Sequence, residues 1–426
     1  MSASIQLASS SATLTRRMAI VVFLVFALAY FFSTLVRAIT ATLSPVLTQE
    51  LGLQARDLGL LAGGYFFGFS LTQLPLGRWL DRYGPRRVLL AFLSVAVLGC
   101  LAFAQATSFS GLLLARVLCG IGLSACLMAP LTGYRRWFDA STQLRTNSWM
   151  LMTGSLGMVA ATLPVQWLVP IWGWRALFVA MAVCIVLVML GIRWLVPDWT
   201  RNAPAPSTAQ AITQQSADDG GYSAVWRSRY FWRMVPIGFF SYGGVVAIQT
   251  LWAGPWMTQV AGWSAIEAAT GLFVINLCML VSFWLIGLVT SALSRRGIRV
   301  DQLIAWALPL SLMLLCTVVL IGPAAGQAAA LWLAAFCVSS SLVSLAQPAI
   351  GMAFPSHLAG RALSAYNLVI FAGIFVVQWG IGLGVDLALG IGLDKAAAYQ
   401  AAFGGFGLLS LLSWLFFMGF RVDNRT

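Results

Sequence analysis

The sequence has little charge, and acidic residues are the scarcest part of it. Of 426 residues, 9% are charged; 12 are Asp or Glu, 25 are Lys or Arg, and one is histidine. A soluble globular domain is about 25% charged, so the composition excludes a soluble protein. An enzyme that depends on clustered His, Asp and Glu side chains is disfavoured as well. We therefore expect no catalytic residues, no metal site and no cofactor.

Other signatures are missing too. The seven cysteines lie in apolar runs without C-x-x-C spacing, which disfavours a disulfide framework or a zinc site. A phosphate-binding loop of the form G-x-x-x-x-G-K-[ST] is absent, which argues against direct use of ATP. The net charge of +13 is scattered in short clusters between apolar runs, and nucleic-acid binding needs basic residues massed on one face. We expect no nucleic-acid partner.

What the chain has in abundance is apolar residues, 60% of the total. At ~20 residues per crossing of a bilayer, this content suffices for about a dozen helices. Residues 197–224 are rich in Pro, Ser, Gln and Asp and cannot build a core. The sequence therefore predicts an all-α polytopic membrane protein with 12 transmembrane helices. We expect six helices in residues 1–196, a cytoplasmic linker at 197–224 and six more helices in 225–426.

The loops between the predicted helices differ in basic content from one side of the membrane to the other. Twenty of the 25 basic residues fall on the side of the termini and the linker, and three on the other: Arg56, Arg175 and Lys395. Basic residues concentrate in cytoplasmic loops. We expect a multi-pass protein of the inner membrane with both termini in the cytoplasm, surrounded by lipid and monomeric.

The loop after the second predicted helix has the arrangement G-x-x-x-D-R-x-G-x-R-R. Its members are Gly77, Asp81, Arg82, Gly84, Arg86 and Arg87. This pattern resembles the signature loop of the major facilitator superfamily. The resemblance implies two pseudo-symmetric six-helix bundles and transport by alternating access. It also implies that Asp81 latches the cytoplasmic side against the start of the eleventh helix, near Arg361. An alternative is that the arginines only fix the topology.

Two further motifs support the resemblance. After the eighth predicted helix, Arg295 and Gly297 repeat Arg82 and Gly84 at a constant offset, which indicates a degenerate second copy of the gating loop. In the fourth helix, Arg116, Gly120 and Gly122 resemble the R-x-x-x-G-x-G motif of the family. The chain also departs from the family. Some of its organic-anion/proton symporters carry an acid seven residues after that arginine, where this chain has Leu123.

Ionisable residues inside membrane helices point to function because they are costly to bury. Only Arg37 and Arg116 qualify here, and a guanidinium suits a carboxylate or another oxyanion. Polar and aromatic residues at helical spacing predict a cavity between the halves. The predicted substrate-binding residues are Tyr30, Thr34, Arg37, Arg116, Tyr242, Gln249, Trp252, Asn276, Ser344 and Asn367.

Each of these assignments has an alternative. Arg37 can extend to the outer headgroups if its helix starts later, and Arg116 can brace neighbouring helices. Ser and Asn side chains often hold helices together without contacting substrate, and Trp252 can belong to an interfacial aromatic belt.

The expected function is secondary transport of a small organic anion, coupled to an ion such as the proton, as in a symporter. Asp386 and Glu267, both near the outer surface, are the candidate coupling residues. The alternatives are proton-driven efflux of amphipathic compounds and a transport-fold sensor. The single histidine, His357, is expected to be solvated.

Overall fold

Long apolar helices dominate the computed structural model, which describes residues 14–138, 140–198, 221–295 and 299–420. Nine stretches within these ranges are long and apolar enough to cross a membrane. One of them, Val300–Ala353, spans 54 residues and contains two crossings. Two more crossings are interrupted, at Thr72 and at Ala161–Thr162, and so lack a long unbroken apolar helix. The described chain therefore makes twelve crossings, α1 to α12.

The first six crossings form the N-terminal half. Their bounds are Arg16–Leu51 for α1, Ala55–Leu71 continued by 73–83 for α2, 85–105 for α3, Phe109–Leu123 with Met128–Trp137 for α4, Ala140–Ala160 continued by 163–172 for α5, and 174–195 for α6. Non-helical backbone at Gly84 (φ 78°, ψ 162°) and Gly173 (φ 74°, ψ 157°) separates α2 from α3 and α5 from α6. Glycine accepts these positive φ angles without a Cβ penalty.

The last six crossings form the C-terminal half. Their bounds are Arg229–Pro236 through Ala253–Gln259 for α7, Ala265–Arg295 for α8, Val300–Ile321 for α9, Ala329–Ser340 through Ala346–Ala353 for α10, Ser356–Gly390 for α11 and Lys395–Gly419 for α12. Two π-helical segments interrupt α7, at Ile237–Tyr242 and Ile248–Trp252. Polar caps begin several helices. For example, the Asp394 carboxylate accepts the Ala397 N–H at the start of α12.

Residues 199–220 of the predicted linker lie outside the described residues. The linker's last residues begin a short helix, Gly221–Arg227. We call the end of the bundle with this helix, the start of α1 and the end of α12 the terminal face, and the other end the opposite face.

Glycines bring the helices of the N-terminal half into backbone contact. A Cβ on Gly120 would overlap the Tyr65 carbonyl of α2, and one on Gly122 would overlap the backbone of Ala96 in α3. Small residues allow this close approach in membranes, where packing and not water exclusion holds helices together. The two motif glycines therefore allow α4 to pack closely against both α2 and α3.

Besides the contact of α5 with α8, the halves meet along two pairs of crossings. In one, α1 packs on α7, where a Cβ on Gly254 would lie 2.9 Å from the Ala41 carbonyl oxygen. In the other, α2 packs on α11 along its length, with ring contacts such as that of Phe69 and Phe371, whose centroids lie 4.1 Å apart. These contacts define the space in which a substrate site between the halves can lie.

We expect Gly122→Leu to destabilise the protein, because overpacking a close contact typically costs about 1–3 kcal/mol. Thermal unfolding in detergent should show a midpoint several degrees lower. Gly287→Leu is the matched control, since a Cβ on that exposed glycine of α8 meets nothing within 4 Å. Equal midpoints for the two variants would contradict the packing role of Gly122.

Candidate functional site

Arg116 is completely buried and holds the backbone of α1. Its guanidinium donates a hydrogen bond to the Val36 carbonyl at 2.9 Å and another to the Thr40 hydroxyl. It also lies over two aromatic rings, 5.6 Å from the Tyr65 centroid and 5.8 Å from that of Phe103. Arg116 therefore fixes the turn of α1 that carries Arg37.

Arg37 has a different environment. The residue is partly exposed, and its buried Nε has no hydrogen-bond partner. The guanidinium interacts electrostatically with Tyr30, Tyr65 and Tyr242 and lies 5.9 Å from the centre of the Phe69 ring. We call these five residues the Arg37 cluster. Tyr242 comes from the C-terminal half, so the cluster spans the boundary between the halves.

The depth of the cluster follows from helix geometry. Arg37 lies 14 residues before the end of α1, or about 21 Å from the opposite face at 1.5 Å per residue. Phe69 lies 14 residues into α2, which starts at that same face. Both residues are thus at one level, within the span.

Tyr30 and Thr34, both predicted to bind substrate, lie one turn apart on a side of α1 that packs against α5. Both side chains are buried and fit against glycines, Tyr30 against Gly154 and Thr34 against Gly157. The Thr34 hydroxyl donates to the Phe31 carbonyl at 3.0 Å within its own helix. Tyr30 joins the Arg37 cluster, whereas Thr34 does not.

The predicted polar residues of α7 and α8 are paired with each other. Gln249 donates from Nε2 to the Asn276 Oδ1 at 3.0 Å, and both side chains are buried. Trp252 is fully buried and donates from Nε1 to the Gln378 carbonyl of α11 at 3.0 Å. This tryptophan packs over Gly59 of α2, so it lies at the contact between the halves.

The remaining predicted residues lie nearer the terminal face. Asn367 of α11 is buried and accepts a hydrogen bond from Gln347 of α10 at 2.5 Å. Ser344 is partly buried in a 3-10 segment of α10. Neither belongs to the Arg37 cluster.

Two residues of this region, Tyr65 and Phe69, were not predicted from the sequence. Tyr65 contacts both arginines and donates to the Ser33 carbonyl at 3.2 Å. Phe69 links Arg37 to Phe371 of the other half. A signal was present, because tyrosine carries a polar hydroxyl into the apolar run AGGYFFGFS.

The signature loop is helical up to Gly84. Asp81, Arg82 and Arg87 are exposed, and Asp81 has Arg135 as its electrostatic neighbour. A Cβ added to Gly77 would have no neighbouring atom within 4 Å, so no other helix packs closely on this side of α2.

Arg86 is the buried arginine of the loop. Its guanidinium binds the Arg193 carbonyl at the end of α6 and the Asp198 carboxylate at 2.8 Å. In the second copy, Arg295 ends α8, and Gly297 lies outside the described residues. A hydrogen bond from Tyr222 to the Leu74 carbonyl ties the short linker helix to this region.

Both candidate coupling acids cap helices at the opposite face. Glu267 accepts from the N–H and the hydroxyl of Ser264, each at 2.8 Å, at the start of α8. Asp386 acts across the boundary between the halves. Its two carboxylate oxygens accept the N–H groups of Ala55 and Arg56 at 3.2 and 3.0 Å, so an acid of α11 caps the N-terminus of α2.

This interhalf cap lies beside a close helix contact. A Cβ on Gly382, one turn before Asp386, would overlap the Ala55 carbonyl. The cap also borders a cavity of about 480 Å³ that opens between α1, α2, α7 and α11 and includes Lys395 and Tyr399 in its lining. The cap therefore holds the halves together at the opposite face, between the Arg37 cluster and that side of the membrane.

A family model of the Major Facilitator Superfamily matches residues 26–377. The chain also resembles the 4-hydroxybenzoate transporter PcaK of Acinetobacter baylyi, with 29% identity over 150 residues, 35% of this chain and 32% of the relative. It is 24% identical to the probable sulfoacetate transporter SauU of Cupriavidus necator over 264 residues, 58% of each chain. The matched segments thus span from a third to somewhat over half of these relatives.

Solved structures share the fold over nearly the whole chain. A bacterial homologue of the human lysosomal transporter Spinster, inward-facing and unoccupied, has a TM-score of 0.76 at 16% identity, covering 95% of this chain and 97% of that one. A D-xylose-proton symporter has a TM-score of 0.77 at 14% identity, covering 96% and 99%. The predicted fold of twelve helices in two six-helix bundles is confirmed.

We expect Asp386→Ala to favour opening at the opposite face, because loss of a helix cap costs about 1 kcal/mol, roughly a fivefold change in a population ratio. Spin labels at Gln49 and Gly390 in a cysteine-free background would report the distance across that face. A larger share of long distances is the expected result.

Asp394→Ala is the matched control, because Asp394 caps α12 within its own half. It should leave the distance distribution unchanged. Identical distributions for Asp386→Ala and the parent protein would show that the interhalf cap does not set the conformation.

Proposed function

Because the chain belongs to the Major Facilitator Superfamily, as its motifs predicted, we propose that it is a secondary transporter of a small organic anion. The observation that carries the proposal is Arg37, a permanently charged and partly exposed group within the span. Its Nε, like that of the fully buried Arg116, has no hydrogen-bond partner. An unsatisfied buried donor is costly, and a carboxylate would satisfy it. The transporters named above for 4-hydroxybenzoate and sulfoacetate handle molecules of that kind.

The two intramembrane arginines have separate roles in this proposal. Arg37 binds the anion, and the surrounding phenol groups add hydrogen bonds and apolar surface for the rest of the molecule. Arg116 is a positioning residue. Its hydrogen bond to the Val36 carbonyl fixes the backbone directly before Arg37.

Alternating access follows from the location of the site. The Arg37 cluster spans both halves, and the interhalf cap at Asp386 closes the opposite face. Rocking of the halves about the cluster would break this cap and expose Arg37 to the other side. The excess of basic residues at the terminal face supports a cytoplasmic location for that face and both termini, in a protein of the bacterial inner membrane.

We expect organic anions to stabilise the purified protein against thermal unfolding, because a ligand that binds only the folded state raises its stability. The anions to be tested are 4-hydroxybenzoate, sulfoacetate, L-galactonate and a hexuronate. Uncharged 4-hydroxybenzamide is the matched control. Stabilisation by tetraphenylphosphonium and by none of the anions would overturn the proposal.

Paired variants distinguish the two arginines. Arg37→Gln should keep the unfolding midpoint but weaken anion binding by roughly 2 kcal/mol or more, about 30-fold in Kd. Arg116→Gln should instead lower the midpoint of the unliganded protein, because it removes buried hydrogen bonds worth about 1–3 kcal/mol. Titrations followed by thermal shift measure both quantities. Unchanged anion affinity in Arg37→Gln would exclude Arg37 from the site.

A further inference from the structure

We propose that this protein exchanges one organic anion for another, in place of the proton coupling that the sequence analysis favoured. The inference rests on the proposed function and concerns its driving force. It depends on two observations. The acids of the described chain lie at helix ends, and none of them pairs with Arg37.

The eight acids within 14–138, 140–198, 221–295 and 299–420 all lie near the ends of crossings. They are Glu50, Asp57, Asp81, Asp198, Glu267, Asp301, Asp386 and Asp394. Most of them are already engaged there. Asp301, for example, accepts hydrogen bonds from Arg233 at 2.9 Å and Tyr230 at 3.0 Å.

Three others cap helices, as described for Glu267, Asp386 and Asp394. Glu50 accepts from Trp174 at 2.7 Å and pairs with Arg175. A carboxylate at these positions cannot move to the Arg37 cluster without leaving its helix end. The other four acids of the sequence lie outside the described residues.

The groups that face Arg37 are phenols and a thiol. Tyr30 is on its own helix, Tyr65 is on α2, Tyr242 is on α7 and Cys126 is on α4. Phenols and thiols ordinarily titrate at about pH 8.5 to 10, so they stay neutral and protonated in the physiological range. Among the described residues, Arg37 belongs to none of the ion pairs.

An empty site therefore keeps an uncompensated positive charge. Occluding such a charge between the halves is unfavourable, since burial penalises an unpaired ion. A titratable carboxylate beside the arginine would neutralise it on the empty return step and couple that step to protons. This cluster has no such group, so a bound anion must supply the negative charge on both the outward and the inward step.

Exchange also balances charge across the membrane. Arg37 and a bound monovalent anion form a neutral pair, while the charge of Arg116 stays within the N-terminal half. Two anions of equal valence moving in opposite directions transfer no charge. The exchange rate should thus be independent of membrane potential.

The full-length protein in proteoliposomes tests this inference. Labelled 4-hydroxybenzoate and labelled L-galactonate, each assayed by itself, are added outside vesicles that contain either Tris chloride alone or the same unlabelled anion. We expect uptake into anion-loaded vesicles to be about tenfold faster or more, because the unpaired charge slows the empty return. An acid-outside pH gradient or a potassium–valinomycin potential should change this rate less than twofold.

The outcomes separate the two proposals. Equally fast uptake into chloride vesicles, or uptake that needs acid outside, would overturn exchange and leave anion transport intact. No uptake of either anion under any loading would overturn the proposed function, and the exchange inference with it.

A variant pair tests the charge argument directly. Tyr242→Glu adds a titratable carboxylate near Arg37 from the other half, and Tyr242→Gln adds a neutral side chain of similar size. With acid outside, we expect Tyr242→Glu to raise the rate of uptake into chloride vesicles toward the rate into anion-loaded vesicles. The same loaded-to-empty ratio in both variants would contradict the role given to the missing counter-charge.

Discussion

The hydrogen bond from Arg116 to the Val36 carbonyl is the interaction on which the site depends. It joins α4 to the backbone of α1 at the residue before Arg37, deep within the N-terminal half. The glycines that follow Arg116 on α4 allow its helix to touch α2 and α3 at the same level. One motif therefore brings together three helices and sets the direction of the unpaired guanidinium. The guanidinium of Arg116 stabilises the packing of α4 on α1, which leaves the charge of Arg37 for the ligand.

The boundary between the halves combines two kinds of contact. Deep in the bundle, rings such as Phe69 and Phe371 pack without directional bonds. At the opposite face, Asp386 makes directional hydrogen bonds to the end of α2. Ring packing tolerates rotation, whereas a cap is either made or broken. This division suits a molecule with discrete open and closed states at that face.

Much of the fold could be predicted from the sequence, because hydropathy and helix length determine how often a chain crosses a bilayer. The turn at Gly84 was also predictable, since few residues other than glycine accept its φ angle. The roles of the two arginines could not be separated in this way. Both occur in apolar runs, and only the neighbours brought by other helices show that Arg116 binds the backbone of α1 whereas Arg37 lies among tyrosines of three helices.

Contacts between distant segments explain the other differences. Trp252 was expected to face a substrate cavity, and the structure places it against Gly59 and the Gln378 carbonyl, in helices that lie far from it in sequence. The cap made by Asp386 joins residues 330 positions apart. Helical periodicity shows which residues share a face, but it does not show which helix that face meets. Tyr65 was missed for the same reason.

The two π-helical segments of α7 have a mechanical consequence. Each π turn contains more residues than an α turn, so α7 contains more residues than a regular α-helix of the same length. Returning one residue to α-helical winding would lengthen the helix by about 1.5 Å and turn everything beyond it by roughly 100°. Tyr242 ends the first π segment and Trp252 ends the second. A change of winding at these segments would thus reorient Tyr242, near Arg37, and Trp252, at the interhalf contact.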